Sequence, residues 1–327
     1  MLSSFLILLA GCRKDNIDMS NARVEVVFSP QGVGDQGYND MILRGLQKAS
    51  AMYGFTLAIH IPLEKEQGLQ IYEEWLNSDP GDECERSLFL FSGSEYEYLA
   101  DSLILPEDER KDVLMFETDK PVDGIYTFRI GCYAASYLAG ATSVLDNDGK
   151  QQRALVIAAN PHDRNVKRAV DGYRDGFIAA GGDGCDVQYL SEEPDGGYNM
   201  QDEAYRTCRQ VMCNYIFYFS AAGASNKGVY RFSREYNELT VGMDDDMSLF
   251  SSMILMSVVK RIDRALIDII GDMLKNRDIP YHQDFTYLSG YEDMIFASGI
   301  TDELFLDISD IRKNILEIEQ RYEESNK

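Results

Sequence analysis

VEVVFSPQGVGDQGYNDMILRGLQKASAMYGFTLAIHI, residues 24–61, combines three signals of a single folding unit. Residues 24–28 are a short, valine-rich apolar run, which is typical of a buried β-strand. Four apolar residues then recur at helical spacing, namely Leu43, Leu46, Ala49 and Met52. Residues 56–61 form a second strand-like run. A strand, a helix and another strand in this order predict a βαβ unit of a parallel sheet.

The same alternation continues along most of the chain. Further apolar, strand-like runs occur at 88–91, 113–116, 154–159, 187–190, 215–219 and 239–242. Helix-like segments separate many of them, at 68–76, 134–145, 164–180, 202–212 and 227–236. The pattern restarts after residues 126–128, and a chain of 327 residues exceeds what one hydrophobic core usually organises. The sequence therefore predicts an α/β protein with two doubly wound lobes.

We expect the chain to cross between the lobes near Ile130, near Val241 and after Pro280. This division assigns residues 23–130 and about 247–280 to lobe 1, and 131–246 and about 281–327 to lobe 2. Ser257 is predicted to cap a helix, because apolar residues follow it at spacings of three and four. That stripe consists of Val258, Ile262, Ala265, Leu266, Ile269 and Met273.

The charge balance restricts the partners. Lys and Arg total 31 against 55 Asp and Glu, so the formal net charge is -24. A field of this sign repels nucleic-acid phosphates and disfavours a phosphorylated ligand. The composition therefore argues against nucleic-acid binding and favours a small neutral or cationic ligand.

Residues 1–12, MLSSFLILLAGC, form an apolar run that ends in small residues, as in a secretory signal. The run is too short to span a bilayer, and Arg13 ends it. Its ending, Leu9 to Cys12, resembles a bacterial lipobox, which implies lipid modification of Cys12 and a membrane-anchored, extracytoplasmic protein. Residues 13–22 then form a polar tether. The alternative is a buried amino-terminal strand.

Five stretches resemble, in order, the basic membrane protein family of lipoproteins, which includes purine-nucleoside-binding components of ABC transporters. The first is residues 32–40, GVGDQGYND. The others are SYLAG at 136–140, FSAAG at 219–223 leading to GVY at 228–230, GMDDD at 242–246, and SVVKRID at 257–263. The resemblance implies a type I periplasmic-binding fold, with a ligand cleft between the lobes and ABC permease subunits as partners.

The resemblance also implies where the ligand binds. It places Asp35, Tyr38 and Asn39 near a nucleoside base, and it places Asp244 and Lys260 near the sugar hydroxyls. Three further residues would line the cleft, namely Asp119, Phe219 and Gly223. Aromatic rings stack on bases, and Asn and Asp supply complementary hydrogen-bonding edges. No cofactor or metal is implied.

Several site residues also have a structural alternative. Asp35 could serve only to build a turn, and Tyr38 and Phe219 could be core aromatics. Residues 244–246 could form a solvated turn, a helix cap or, as a weaker option, a calcium site, and Lys260 could be an ordinary ion-pair partner. The chain departs from the family where Tyr38 replaces a Phe, where Ser94 stands in place of an aromatic, and where Cys132 occupies a position that is often acidic.

Other functions of the same fold remain open, namely sugar binding and input to a membrane sensor. An enzyme is disfavoured, since the three histidines, His60, His162 and His282, lie in no recognisable catalytic or metal motif.

Overall fold

The computed structural model describes residues 21–119, 121–144, 151–300 and 307–326. The predicted signal, Cys12 and nearly all of the predicted tether lie outside these residues. Within them the strands form two six-stranded sheets, each flanked by helices. The predicted α/β architecture with two lobes is confirmed. No described helix is both long and apolar enough to cross a membrane.

The first sheet forms lobe 1. Its strands are β1 (Ala22–Val27), β2 (Thr56–His60), β3 (Arg86–Phe91), β4 (Lys111–Phe116), β5 (Tyr126–Ile130) and β11 (His282–Phe285). They are parallel and lie in the order β11-β5-β4-β3-β1-β2. Strands β3 and β4 are almost entirely buried, because helices cover both faces of a parallel sheet.

The second sheet forms lobe 2. Its strands are β6 (Arg153–Ala158), β7 (Gly184–Tyr189), β8 (Phe217–Ala221), β9 (Thr240–Asp244), β10 (Ile254–Lys260) and β12 (Glu292–Phe296). Their order is β12-β10-β9-β8-β6-β7, and the edge strand β12 is antiparallel to β10. The two sheets therefore share one plan of central parallel strands.

Nine α-helices are present in the described residues. Helices α1 (Tyr38–Tyr53), α2 (Glu66–Asn77) and α7 (Ile262–Leu274) pack on lobe 1. Lobe 2 carries α3 (Tyr133–Thr142), α4 (Arg164–Ala179), α5 (Gln201–Gln210), α6 (Asn226–Tyr236), α8 (Ser309–Lys313) and α9 (Ile315–Ser325). The backbones of helices α3 and α4 are in direct contact. Gly176 permits this approach, since a methyl group at its position would collide with the Tyr137 carbonyl.

The chain passes between the lobes after Ile130, after Lys260 and between Phe285 and Glu292. The predicted lobe boundaries need two corrections. Strands β9 and β10 both belong to the second sheet, so the crossing expected near Val241 lies after Lys260, and lobe 1 receives the chain at α7 instead of at about residue 247. Strand β11 adds to the first sheet, although the sequence places it in lobe 2. Short edge strands carry too few residues to reveal their sheet from local pattern.

The helix predicted to start at Ser257 is wrong in its first turn. Residues 254–260 are strand β10, and the helix begins at Ile262. The Ser257 hydroxyl accepts a hydrogen bond from the Met247 amide at 3.1 Å instead of capping a helix. A strand buried on both faces is apolar at successive positions, so apolar residues at the end of β10 also fitted the helical spacing of the apolar residues in α7.

Candidate functional site

A cleft of about 650 Å³ lies between the lobes, within the range of roughly 300–1,000 Å³ for small-molecule sites. Loops that follow the strands of both sheets line it, as expected at the carboxyl ends of parallel strands. Seven of the eight residues predicted to bind ligand line this cleft, namely Asp35, Tyr38, Asn39, Asp119, Gly223, Asp244 and Lys260.

Phe219 is the exception. It lies in β8, is fully buried, and stacks on Tyr173 of α4 with ring centroids 4.7 Å apart. Its placement in the cleft was therefore wrong, and the core-aromatic alternative is correct. All five residues of β8 are buried, so alternation along the strand could not show which face each side chain occupies.

Asp35 organises the loop that enters α1. Its Oδ1 accepts from the Gly37 amide at 2.9 Å, and its Oδ2 accepts from the Asn39 amide at 2.8 Å. A carboxylate in this position satisfies free N–H groups of the first helical turn and complements the helix dipole. Asp35 thus positions Tyr38 and Asn39 at the cleft wall.

Tyr38 and Asn39 bring polar atoms to that wall. Among the described residues, neither the Tyr38 hydroxyl nor the Asn39 Oδ1 has a hydrogen-bond partner, although both atoms are buried. Burial, with Glu117 and Glu95 nearby, raises the pKa of Tyr38 well above its usual value, so the hydroxyl keeps its proton. Buried polar atoms without a protein partner in a cleft fit a polar ligand.

Lys260 and Glu117 form a buried ion pair across the lobes. The Lys260 Nζ lies 2.6 Å from Glu117 Oε1, and the two side chains are 4% and 2% exposed. Lys260 is the last residue of β10 and lies before the start of helix α7. Burial raises the pKa of Glu117 while the Lys260 ammonium opposes this shift, and Glu117 Oε2 has no partner in the described residues.

Asp244 lies beside this pair, at the end of β9. Burial raises the pKa of its carboxyl to about 7, an effect that Lys260 reduces and Asp35 reinforces. A Cβ added at Gly37 would lie 3.3 Å from Asp244 Oδ2, so the glycine allows the carboxylate to approach the start of α1. Asp244 and Glu117 both have positive φ angles, of 77° and 57°. Non-glycine residues in this conformation are uncommon and cluster at functional sites.

Asp119 lines the cleft, but other groups engage its carboxylate. Arg164 lies 2.8 Å from Oδ2 and Arg168 lies 2.9 Å from Oδ1, while Arg129 lies 3.7 Å from Oδ1. Burial alone would raise the pKa of Asp119, but these arginines lower it. Asp119 therefore joins β4 of lobe 1 to α4 of lobe 2, and little of its acceptor capacity is left for a ligand.

Sequence reasoning missed several cleft residues, of which Asp163 is one. It caps α4 by accepting from the Asn165 and Val166 amides at 2.7 and 3.1 Å. Its Oδ2 also accepts from the hydroxyls of Ser94 and Tyr198, both at 2.8 Å. The position of an Asp between a strand and a helix was a visible capping signal. Its contact with Ser94 of lobe 1 had no local signal.

The cleft is acidic. Its lining includes nine carboxylates, at Asp35, Glu66, Glu95, Glu97, Glu117, Asp119, Asp163, Asp195 and Asp244. The lysines and arginines that line it are Lys65, Arg164 and Lys260, and each pairs with a carboxylate. Such a lining opposes a phosphate or carboxylate on the ligand. The described residues contain no group of His, Cys, Asp and Glu arranged to hold a metal ion.

The sequence model of the Bmp family, described as ABC transporter substrate-binding protein PnrA-like, matches residues 22–289. The chain belongs to this family. It is therefore an extracytoplasmic ABC transporter solute-binding protein and not an enzyme, as the sequence predicted. No curated protein matches this Bmp-family chain significantly in sequence.

Solved structures support the same fold. An ABC transporter solute-binding protein from Aeropyrum pernix K1 superposes with a TM-score of 0.74 at 16% identity, covering 93% of this chain and 92% of that one. A transcriptional activator of the comK gene from Bacillus halodurans superposes with a TM-score of 0.65 at 17% identity, covering 90% of this chain and 95% of that one. A solute-binding protein from Burkholderia graminis, in complex with D-arabinose, superposes with a TM-score of 0.60 at 14% identity, covering 87% of this chain and 99% of that one.

Proposed function

We propose that the chain captures a purine nucleoside in the interlobe cleft and delivers it to ABC permease subunits. One observation carries the proposal, namely that an aromatic ring and a polar cluster meet on the same wall. Lys260 Nζ lies 6.0 Å from the centre of the Tyr38 ring, and Asn39 follows Tyr38 directly. A purine can stack on the ring while ribose hydroxyls reach Asp244 and Lys260.

The charge of the cleft supports an uncharged nucleoside over a nucleotide. The three lining lysines and arginines are already paired, so a phosphate would meet unopposed carboxylates. A neutral nucleoside carries several O–H and N–H donors, which suit the free acceptors Asn39 Oδ1 and Glu117 Oε2.

Contacts between the lobes support binding by closure. Ser94 donates to Asp163, Lys65 pairs with Asp195 at 2.5 Å, and the Lys227 ammonium donates to the Gly34 carbonyl at 2.7 Å. These contacts describe a closed cleft. A ligand that touches both lobes favours the closed state through its additional contacts.

A sugar is the second candidate. Its specific support is the cleft lining, where the described aromatic rings are those of Tyr38, Tyr198 and His162 among many carboxylates. Carboxylates and amides suit a ligand made mainly of hydroxyl groups. The complex of the Burkholderia graminis relative with D-arabinose shows a sugar in a similar fold.

Thermal unfolding of the purified chain tests both candidates. Inosine, adenosine, guanosine, their 5′-monophosphates and a set of monosaccharides are compared. A ligand at about 100 times its Kd should stabilise the fold by about 2.7 kcal/mol. We expect this shift with a nucleoside, and we expect Asp244→Ala to abolish it. A shift with a monosaccharide and none with any nucleoside would replace the nucleoside by a sugar.

We also propose that Cys12 carries a lipid that anchors the protein outside the cytoplasm. The support is the lipobox-like sequence that precedes Cys12. Incorporation of a radiolabelled fatty acid in the expressing bacterium, lost in Cys12→Ser, would establish the anchor. Equal labelling of wild type and variant would contradict it.

A further inference from the structure

We propose that Glu95 reads the hydrogen-bonding edge of the ligand and selects a purine that carries an oxygen or nitrogen substituent next to a ring nitrogen. The proposal rests on the proposed nucleoside function and deepens it. Glu95 lines the cleft, and its buried Oε1 has no hydrogen-bond partner among the described residues. A buried carboxyl oxygen without a partner is costly, and a ligand donor or acceptor removes that cost.

The loop that carries Glu95 holds the carboxyl in place. Gly93 has a φ of 136°, a conformation that L side chains rarely adopt. A Cβ at this glycine would collide with both oxygens of the Glu95 carboxyl, so the missing side chain makes room for the carboxyl group. Oε1 is buried and has no hydrogen-bond partner among the described residues.

Nearby groups are already committed to other partners. Lys65 pairs with Asp195, so its charge is shared with another carboxylate. Asp163 accepts from two amides of α4 and from two hydroxyls. Asp119 is held by arginines. Glu95 is therefore the carboxyl at this part of the cleft that can accept a new partner.

The protonation state of Glu95 indicates the chemistry of that partner. Burial raises the pKa of the carboxyl to about 8, with Asp163 and Asp195 adding to the shift. A neutral carboxylic acid presents one donor and one acceptor side by side. This pair complements the N–H and C=O edge of inosine or guanosine, or the N and N–H edge of adenosine. Purine riboside lacks the substituent and offers only the N1 acceptor, so it can form one hydrogen bond of the pair.

Calorimetric titration of the chain and its variants tests the inference. Inosine, purine riboside and 1-methylinosine are titrated into wild type, Glu95→Ala and Glu95→Gln. Exposed Glu64, on the same lobe and outside the cleft, provides Glu64→Ala as a control with the same truncation of a glutamate side chain. Thermal midpoints without ligand confirm that each variant is folded.

We expect Glu95→Ala to weaken inosine binding by about tenfold or more, because a pair of hydrogen bonds is lost. Binding of purine riboside should weaken by a smaller factor, because only the bond to its N1 is lost. Glu95→Gln keeps a donor and an acceptor, so it should bind inosine within about threefold of wild type. Between about pH 7 and 8, wild-type affinity for inosine should fall more steeply than that of Glu95→Gln, because the Glu95 carboxyl loses its proton in this range. Wild type should also bind 1-methylinosine more weakly than inosine.

The outcomes separate the two proposals. In one case, wild type binds nucleosides while Glu95→Ala lowers the affinities for inosine and purine riboside by the same factor, or lowers neither affinity. Either result overturns the role of Glu95 and leaves the nucleoside function standing. A Glu64→Ala effect as large as that of Glu95→Ala would also overturn it. If wild type binds no purine nucleoside, adenosine and guanosine included, the proposed function fails, and the inference fails with it.

Discussion

Replacing Lys260 by methionine removes an ammonium that lies 2.6 Å from Glu117 Oε1, in a place where both side chains are almost fully buried. Methionine has a similar length and no charge, so the main change is electrostatic. Glu117 then remains buried in lobe 1 without its counterion from lobe 2. We expect a large loss of stability, because an isolated buried carboxylate has lost its hydration and gains nothing in return.

The size of the loss follows from this burial. Breaking a buried ion pair by removing one partner costs about 3–5 kcal/mol. Glu117 can limit the cost by taking up a proton, since burial already raises its pKa. In the variant the folded chain then holds a proton that the unfolded chain releases. Stability of the variant therefore rises as pH falls, by up to about 1.4 kcal/mol per pH unit between the unfolded and folded pKa values.

Urea unfolding at pH 5, 6, 7 and 8 measures the stability loss in Lys260→Met and its dependence on pH. The double variant Lys260→Met with Glu117→Gln should regain most of the loss, because it removes the Glu117 charge that had lost its counterion. Lys227→Met is the matched control, since Lys227 also reaches across the lobes but lies in an exposed contact with the Gly34 carbonyl. It should cost less than about 1 kcal/mol at every pH.

Two results would refute the reasoning. One is a loss below about 1 kcal/mol in Lys260→Met that does not change with pH, which would mean that the pair is hydrated and contributes little. The other is a double variant no more stable than Lys260→Met, which would show that the unpaired charge of Glu117 does not cause the loss.

Glu292 and Glu319 lie together where the chain crosses between the lobes, and burial raises the pKa values of both carboxyls. The free energy of unfolding of the wild type should therefore fall as pH rises from about 5 to 8. Urea unfolding should show a weaker pH dependence for Glu319→Gln. Phe219→Ala should lower the free energy of unfolding by about 3–5 kcal/mol, because it empties a packed core site, while calorimetry at a temperature where the variant is folded should show unchanged ligand affinity. Gly176→Ala should lower the thermal midpoint by several degrees, at about 1–3 kcal/mol of overpacking, because its methyl meets the Tyr137 carbonyl; an unchanged midpoint would show that the two helices can separate freely.

The alternation of strands and helices was predictable because each element is encoded locally. Predicted strands at 24–28 and 88–91 correspond to β1 and β3, and the predicted helix at 164–180 corresponds to α4. Each is a compact apolar run or an apolar stripe bounded by polar residues. The motif at 32–40 also predicted a loop at the cleft, since Asp35 forms its contacts within five residues.

Two local patterns misled because burial on both faces of a sheet removes the alternation that shows where a side chain points. Phe219 looked equally suited to the cleft and to the core, and only the packing of Tyr173 against it decided for the core. Residues 257–260 looked like the start of a helix, and only pairing with β9 and β12 made them a strand.

By itself the sequence determined the βα order, the two-lobe division, the acidic charge and the family, since these depend on composition, local pattern and short motifs. Tertiary structure alone decided which side chains are free to meet a ligand. Glu117 and Lys260 are 143 residues apart, and Ser94 and Asp163 are 69 apart, and each pair joins the two lobes. Whether a carboxylate is paired, capped or left open depends on groups that folding brings from the other lobe. For that reason Asp119 proved to be engaged and Glu95 proved to be open.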